Sequence, residues 1–355
     1  MARRIRRHCS SRTARSPPLP PDGIPVTVNA SSGGPFARVL SIASAVPSRV
    51  VDNAEMCTYI DSSDEWIQQR TGIVERRWVA EGEDAESLAM DAATKAIERA
   101  GLTASDIDAV IVSTVSHFKQ TPGLAPKLAA KLGTDGAAAF DISAACAGFC
   151  YGIAMGESLV RSGAAKKALV IGVETLSKLT DLHDRTTAFL FADGAGAAVI
   201  GASDTNGIGP VVWGSDGEQS GVIDQNVDLL ESGRTGVPAV LTMEGQAVFR
   251  WATGFIADAA RRTLAVSGVD ATELDVFAPH QANNRITDSM LRHLKLPSTV
   301  KVARTIKTMG NNSAASIPIA LDSMLASGEA KSGDKALIIG FGAGLVYAGQ
   351  VIELP

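Results

Sequence analysis

One of the four cysteines in this chain, Cys146, sits in "DISAACAGFCYG", where nearly every neighbour has been trimmed to a methyl group or less. The apolar run "AAAFDIS" leads in, a two-alanine step follows, and helical spacing continues from there. A thiol at a helix start meets partial positive charge and unpaired N–H groups, which favour the thiolate and can hold an oxyanion. A buried cysteine is more often a small hydrophobe, but this placement is that of a nucleophile. Cys150, one turn on, lacks it and reads as core, and Cys57 and Cys9 have no chemistry beside them.

A nucleophilic thiol needs a nitrogen partner. Of the five histidines, His8 lies in an N-terminal tail, and His183 and His293 lie in charged, solvated stretches. His117 follows the strand-like "AVIVSTVS" and can line a site. His280 is the better partner: it ends the apolar strand "LDVFAP", in the amide-rich "PHQANNR". Strand ends are where α/β folds place their ligands. Asn311, in "TMGNNSAAS", offers two donors and an acceptor. An asparagine there can also cap a helix; Asn312 or Ser313 can do so while Asn311 faces a cavity. The loop "FGAG" (341–344) can present backbone N–H groups, and its glycines permit close approach. The glycines of "GAGAAVIG" (194–201) read as tight strand packing rather than a nucleotide loop. No phosphate-binding loop or metal-ligand spacing occurs, so no metal is expected.

Positioning such groups requires a frame, and the chain repeats itself. "GLTASDIDAVIVSTVS" (101–116) parallels "GVDATELDVFAPHQAN" (268–283), and "SGAAKKALVIGVE" parallels "SGDKALIIGFGAG" (332–344). Between them, 146–163 lies over 311–328 without a gap, an offset of 165 residues that places Asn311 on Cys146. Both stretches predict helices that stop at Ser-Gly, the second with a kink at Pro318. Near-continuous apolar strands such as "AVIVSTV", "ALVIGV" and "ALIIGF" belong in sheets covered on both faces. The expectation is two related α/β halves, 37–212 carrying the nucleophile and 213–355 carrying the histidine and asparagine, packed about a pseudo-twofold axis.

Composition is that of a soluble globular protein: 355 residues, 45% hydrophobic and 20% charged. A net charge of −5 argues against a nucleic-acid protein. No apolar run reaches the roughly 18 residues of a membrane span. Unpatterned cysteines point to a reducing compartment, hence the cytoplasm. Residues 1–35, basic and rich in Ser and Pro, predict a disordered tail. That tail is either a targeting segment or translation from an upstream start, with the true start near Val26.

"DISAACAGF", "HQANNRI" and "GNNSAASIPIAL", in this order, resemble β-ketoacyl-acyl carrier protein synthase III, from about Ala37 to the C-terminus. The resemblance implies a thiolase-like fold, two duplicated α/β halves in a layered αβαβα arrangement. It implies that Cys146 takes an acyl group from acyl-CoA and that malonyl-acyl carrier protein is then decarboxylated. His280 and Asn311 would hold the enolate oxygen, and the N–H groups of Cys146 and Ala343 a second oxyanion. It further implies CoA binding by Trp66, Arg70, Arg185, Gln246 and Asn283, and carrier-protein binding by Arg250, Arg285 and Arg292. A homodimer without a cofactor is implied as well, acyl-CoA being substrate. The sequence departs from the family pattern at Met309 (usually His), Asn312 (commonly Thr), Val346-Tyr347-Ala348 (usually Thr-Trp-Gly) and Gln246 (usually Asn); these bear on the starter acyl group. The alternative is an acyltransferase on the same scaffold, moving acyl from Cys146 to a hydroxyl or amine without decarboxylation. A silent partner subunit would lack the nucleophile, and a CoA-only thiolase or hydroxymethylglutaryl-type synthase would need a second cysteine and an acid.

Overall fold

The computed structural model describes residues 33–355. Up to residue 32, the expected tail lies outside the described residues. The strands and helices follow in chain order: β1 (Phe36–Ala45), a ribbon of β2 (Arg49–Asp52) and β3 (Glu75–Trp78) enclosing α1 (Asn53–Tyr59) and α2 (Asp64–Thr71), then α3 (Ala85–Arg99). β4 (Ala109–Ser113), α4 (Leu124–Leu132), β5 (Ala138–Ile142), α5 (Gly148–Ser162), β6 (Lys167–Thr175) and β7 (Asp193–Ser203) complete the first sheet and its helices. The second set comprises β8 (Val212–Ser215), β9 (Ile223–Gln225), α6 (Leu229–Thr235), β10 (Leu241–Met243), α7 (Gly245–Trp251) and α8 (Ala257–Ser267). It continues through β11 (Val276–Pro279), α9 (Asn284–Leu294), β12 (Lys301–Val302), α10 (Ile306–Met309), α11 (Ser316–Ser327), β13 (Lys335–Gly342) and β14 (Val346–Glu353).

Two five-stranded mixed sheets result, ordered β1-β7-β6-β4-β5 and β8-β14-β13-β11-β12. Their pairings match strand for strand: two antiparallel contacts at one side and two parallel contacts at the other. The central strands β4, β6 and β13 are buried along almost their whole length, as their unbroken apolar runs demand. α5 and α11 lie between the sheets in one core that draws Phe149, Ile153 and Val170 together with Ile317 and Ile338. Alanine-rich α3 and α4 cover the outer face of the first sheet, and α8 and α9 that of the second. The order of layers is αβαβα. Pro318 falls on the third residue of α11, inside the first turn, where an amide hydrogen has no helical partner, so no kink is needed.

The register of the repeat differs from the ungapped reading. Each central helix is preceded by one 3₁₀ turn, Ala145–Ala147 and Ser313–Ala315, and each turn opens on a left-handed residue: Ala145 at φ 43° and Ser313 at φ 45°. The equivalent of Cys146 is therefore Ala314, 168 positions on, and not Asn311, whose own counterpart is Ser143. α5 has 15 residues and α11 has 12, so the two match at their Ser-Gly ends but not at their starts.

Candidate active site

The small residues around Cys146 are spaces for backbone. A Cβ on Gly342 would meet the Cys146 Cβ at 2.8 Å and Sγ at 3.0 Å; one on Gly340 would meet the Ala147 Cα at 2.7 Å. β13 thus runs directly against the turn that carries the sulfur. In the other half a Cβ on Gly172 of β6 would meet the Ala314 carbonyl oxygen at 2.4 Å. Each turn is pressed against the central strand of the opposite half.

Cys146, His280, Asn311 and Ala343 line one cavity of about 530 Å³, together with His117, Ser313 and the β9–β10 hairpin. Cys146 keeps partial exposure to this cavity but is ringed by protein, and that desolvation pushes its thiol up to about 12. Cys150 is fully buried core. His280 follows β11 directly and its N–H donates to the Ile339 carbonyl at 2.8 Å. Burial holds its imidazole down to about 3, so the ring is neutral. Its Nδ1 shares a 2.7 Å hydrogen bond with the Ser316 hydroxyl, which also accepts the Gln281 N–H at 3.3 Å.

Asn311 is fastened by its backbone: its N–H donates to Leu190 O at 3.0 Å and its carbonyl accepts from Ala192 at 2.9 Å. Its Oδ1 accepts the Ser313 N–H at 3.0 Å. That bond fixes the amide's orientation and leaves Nδ2 as the group free for a ligand.

Asn311 also lines a second, wider cavity of about 860 Å³, with Trp66, Arg70, Arg185, Gln246, Arg250, Asn283 and Arg285 on its walls. The Arg70 and Arg185 guanidinium carbons each lie 5.4 Å from the Trp66 ring centre, and Phe189 meets that ring edge-on. A flat base enters between Trp66 and Arg185 only if the guanidinium lifts away. Asn283 is held by its own bonds: its Oδ1 caps α9 through the Arg285 N–H at 2.8 Å and its Nδ2 donates to Arg70 O at 3.0 Å. Its amide ties α9 to α2 at the wall of this cavity. Arg292 is exposed in the last turn of α9, about two turns beyond Arg285 and outside the cavity.

One site residue has no place in the reading of the sequence. Glu174, at the end of β6, is completely buried. Its carboxylate accepts from Ser116 Oγ at 2.6 Å, Val115 N–H at 3.1 Å and Ser313 Oγ at 3.2 Å. Burial pushes it up to about 7. An acid inside the apolar "ALVIGVETLS" was the available signal. Among the described residues no group of three or more His, Cys, Asp or Glu can hold a metal ion, and no helix is long and apolar enough to cross a membrane.

The family described as 3-oxoacyl-[acyl-carrier-protein] synthase III matches residues 140–217, and its C-terminal part matches 264–354. A β-ketoacyl-[acyl-carrier-protein] synthase III of Streptomyces glaucescens is 55% identical over 331 residues, 92% of this chain and 99% of that protein. The chain belongs to the β-ketoacyl-acyl carrier protein synthase III family. A mycobacterial member from Mycobacterium avium is 49% identical over 92% of this chain and 98% of its own length. The crystal structure of the priming β-ketosynthase of the R1128 polyketide pathway superposes with a TM-score of 0.89 at 43% identity, covering 93% of this chain and 98% of that one. Within this synthase III fold, the motif residues Cys146, His280 and Asn311 converge on one cavity although they lie on three separate segments.

Proposed function

We propose that this protein joins an acyl-CoA starter to malonyl-acyl carrier protein by decarboxylative Claisen condensation, as a β-ketoacyl-acyl carrier protein synthase III. The observation that carries the reading is the junction of two cavities at Asn311, one holding the thiol and the other walled by arginines around Trp66. The wide cavity takes the nucleotide end of CoA, with Trp66 and Arg185 holding the adenine and Arg70 the phosphates. Gln246 lines the same wall. The thioester then reaches Cys146, whose sulfur takes the acyl group and releases CoA.

Malonyl-acyl carrier protein follows by the same mouth, where the exposed Arg250 and Arg285 meet the acidic carrier and Arg292 extends the stripe. Loss of CO₂ leaves an enolate that needs neutral, fixed donors. Asn311 Nδ2 is one. His280 supplies the other: with the Ser316 hydroxyl donating to Nδ1, the ring carries its proton on Nε2 and aims it at the enolate oxygen. The carbanion attacks acyl-Cys146, with the N–H groups of Cys146 and Ala343 holding the second oxyanion. The sequence of steps requires no cofactor. We place the enzyme in the cytoplasm as a homodimer.

The test acylates the purified protein with a panel of acyl-CoAs, follows mass added at Cys146, then supplies malonyl-acyl carrier protein. Acylation followed by β-ketoacyl product that Asn311→Ala abolishes supports the synthase and names its starter. Acylation without condensation overturns it in favour of an acyltransferase.

A further inference from the structure

Condensation uses His280 as a hydrogen-bond donor, with its Nδ1 engaged by Ser316 and its ring kept neutral by burial. Such a ring has no free lone pair for the Cys146 thiol. The thiol proton must nonetheless leave before the sulfur can attack, and the helix start alone accepts no proton.

The groups behind the sulfur form a chain. Ser313 and the Cys146 sulfur line the same cavity, and the two turns that carry them pack against each other. Ser313 Oγ is 3.2 Å from Glu174 Oε1. Ser313 is 2% exposed and Glu174 fully buried, so no solvent competes for the bond between them. The turn is fixed: Ser313 takes a left-handed φ of 45°, as Ala145 does in the matching turn, and its N–H is pinned by Asn311 Oδ1. Oε2 is engaged by Ser116, Val115 and Thr114, and Oε1 takes a longer share of the Val115 N–H, 3.3 Å, beside its bond from Ser313. Glu174 Oε1 therefore points towards Ser313 and through it to the sulfur.

We propose that Glu174 is the proton acceptor for Cys146, acting through the Ser313 hydroxyl. As the sulfur attacks, the S–H bond breaks and its proton passes to Ser313 Oγ while the Ser313 proton passes to Glu174 Oε1. In the synthase reaction the acyl carbon gains the S–C bond, the CoA thiolate leaves and takes a proton from solvent, and Glu174 stays protonated. When condensation expels the Cys146 thiolate, the proton returns by the same route. Charge follows the same path. An ionised Glu174 opposes a thiolate beside it, and transfer of the proton removes that opposition as the thiolate forms. Glu174, pushed up to about 7, is also a closer match for a thiol at about 12 than His280 at about 3.

The pH dependence follows from the groups around the carboxylate. Cys146 faces it from the turn before α5, and the hydroxyls of Thr114, Ser116 and Ser313 face it from the loop after β4 and the turn before α11. No Lys, Arg or His forms an ion pair with it among the described residues. Below its own titration Glu174 already holds a proton and accepts no other, so reactivity of Cys146 falls with falling pH across that step.

The chain rests on Cys146 being a nucleophile, but its test needs neither acyl-CoA nor carrier protein, so it stands or falls separately from the condensation reading. Iodoacetamide forms an S–C bond and loses iodide, and peptide mass spectrometry assigns the adduct to Cys146. Its rate is measured against pH for the wild type, Glu174→Gln, Ser313→Gly and the double variant. Glycine accepts the left-handed φ and keeps the backbone N–H. The wild type should show a step in rate near neutral pH. Both single variants should lose the step and react about tenfold or more slowly above it, the usual contribution of general base catalysis being at least that large. The double variant should be no slower than either. A step that survives in both variants, rates within about twofold of wild type, or multiplicative losses would overturn the relay. If Glu174→Gln fails to fold, Ser313→Gly decides alone, because it cuts the chain and leaves the carboxyl in place.

Discussion

Asn311 Oδ1 accepts the Ser313 N–H at 3.0 Å, and this single bond determines which end of the amide is available for chemistry. Asn311→Asp keeps the acceptor but replaces the free Nδ2 donor with a second acceptor. Condensation should fall by roughly 10²–10³-fold, the usual loss for one oxyanion donor. Acylation of Cys146 should stay within a few-fold. Intact-mass acylation and a product assay on the same sample separate the two half-reactions.

Gly342 touches the nucleophile from behind. Gly342→Ala would place a methyl group 2.8 Å from the Cys146 Cβ, too close to hold, and 3.0 Å from the sulfur, a tight contact. The sulfur and its Cβ must give by a few tenths of an ångström, and since about 1 Å of misplacement costs about 10²-fold in rate, a several-fold loss is expected. The protein should still fold, and the loss should appear in acylation of Cys146 when followed by mass.

Two buried groups give opposite slopes of stability with pH. Glu174, at about 7 instead of 4.5, keeps a proton that the unfolded chain releases, so its contribution is full below 4.5 and lost as pH rises through 7. His280, at about 3 instead of 6.5, refuses a proton that the unfolded chain binds, so its contribution is full above 6.5 and lost as pH falls towards 3. Glu174→Gln should therefore gain stability relative to wild type between about pH 5 and pH 8, by on the order of 2 kcal/mol. Urea melts at those two pH values measure it.

Trp66 and Arg185 bear on the nucleotide and not on the reacting thioester. Trp66→Ala or Arg185→Ala should raise KM for acyl-CoA about tenfold, the worth of one desolvated cation–π contact. Acylation by the same acyl group on a short thiol that lacks the nucleotide should be unchanged. A parallel loss with both donors would place the defect in the fold of α2 instead.

Arg285 and Arg250 face the mouth, whereas Arg292 lies about two turns along α9. Charge reversal at Arg285 should raise KM for malonyl-acyl carrier protein several-fold and flatten its salt dependence. Reversal at Arg292 should have the smaller effect. Steady-state kinetics at two ionic strengths distinguishes them.

That Cys146, His280 and Asn311 share one cavity was legible because each sits where a strand or helix begins or ends. The layers were legible from β4, β6 and β13, whose apolar runs have no polar face. The register of the repeat was not. A match anchored on the two Ser-Gly stops cannot see that α5 carries three residues more than α11, because both helices are apolar and small throughout. Glu174 stayed hidden because its partners come from 58, 59 and 139 positions away. Asn283 lies on the wall of the wide cavity as expected, but its side chain also caps α9, which the motif alone did not show.

The crossing of the two turns, each pressed against a glycine of the opposite half, makes the halves mutually obligate. Cys146 has its rear wall in β13, and Ser313 has its proton partner in β6. A chain cut in the connection between β7 and β8 would yield two fragments, one holding the thiol and one the histidine and amide. Neither would be a smaller, slower enzyme. Activity would return only as the fragments reassociate, rising with the product of their concentrations and not with either alone.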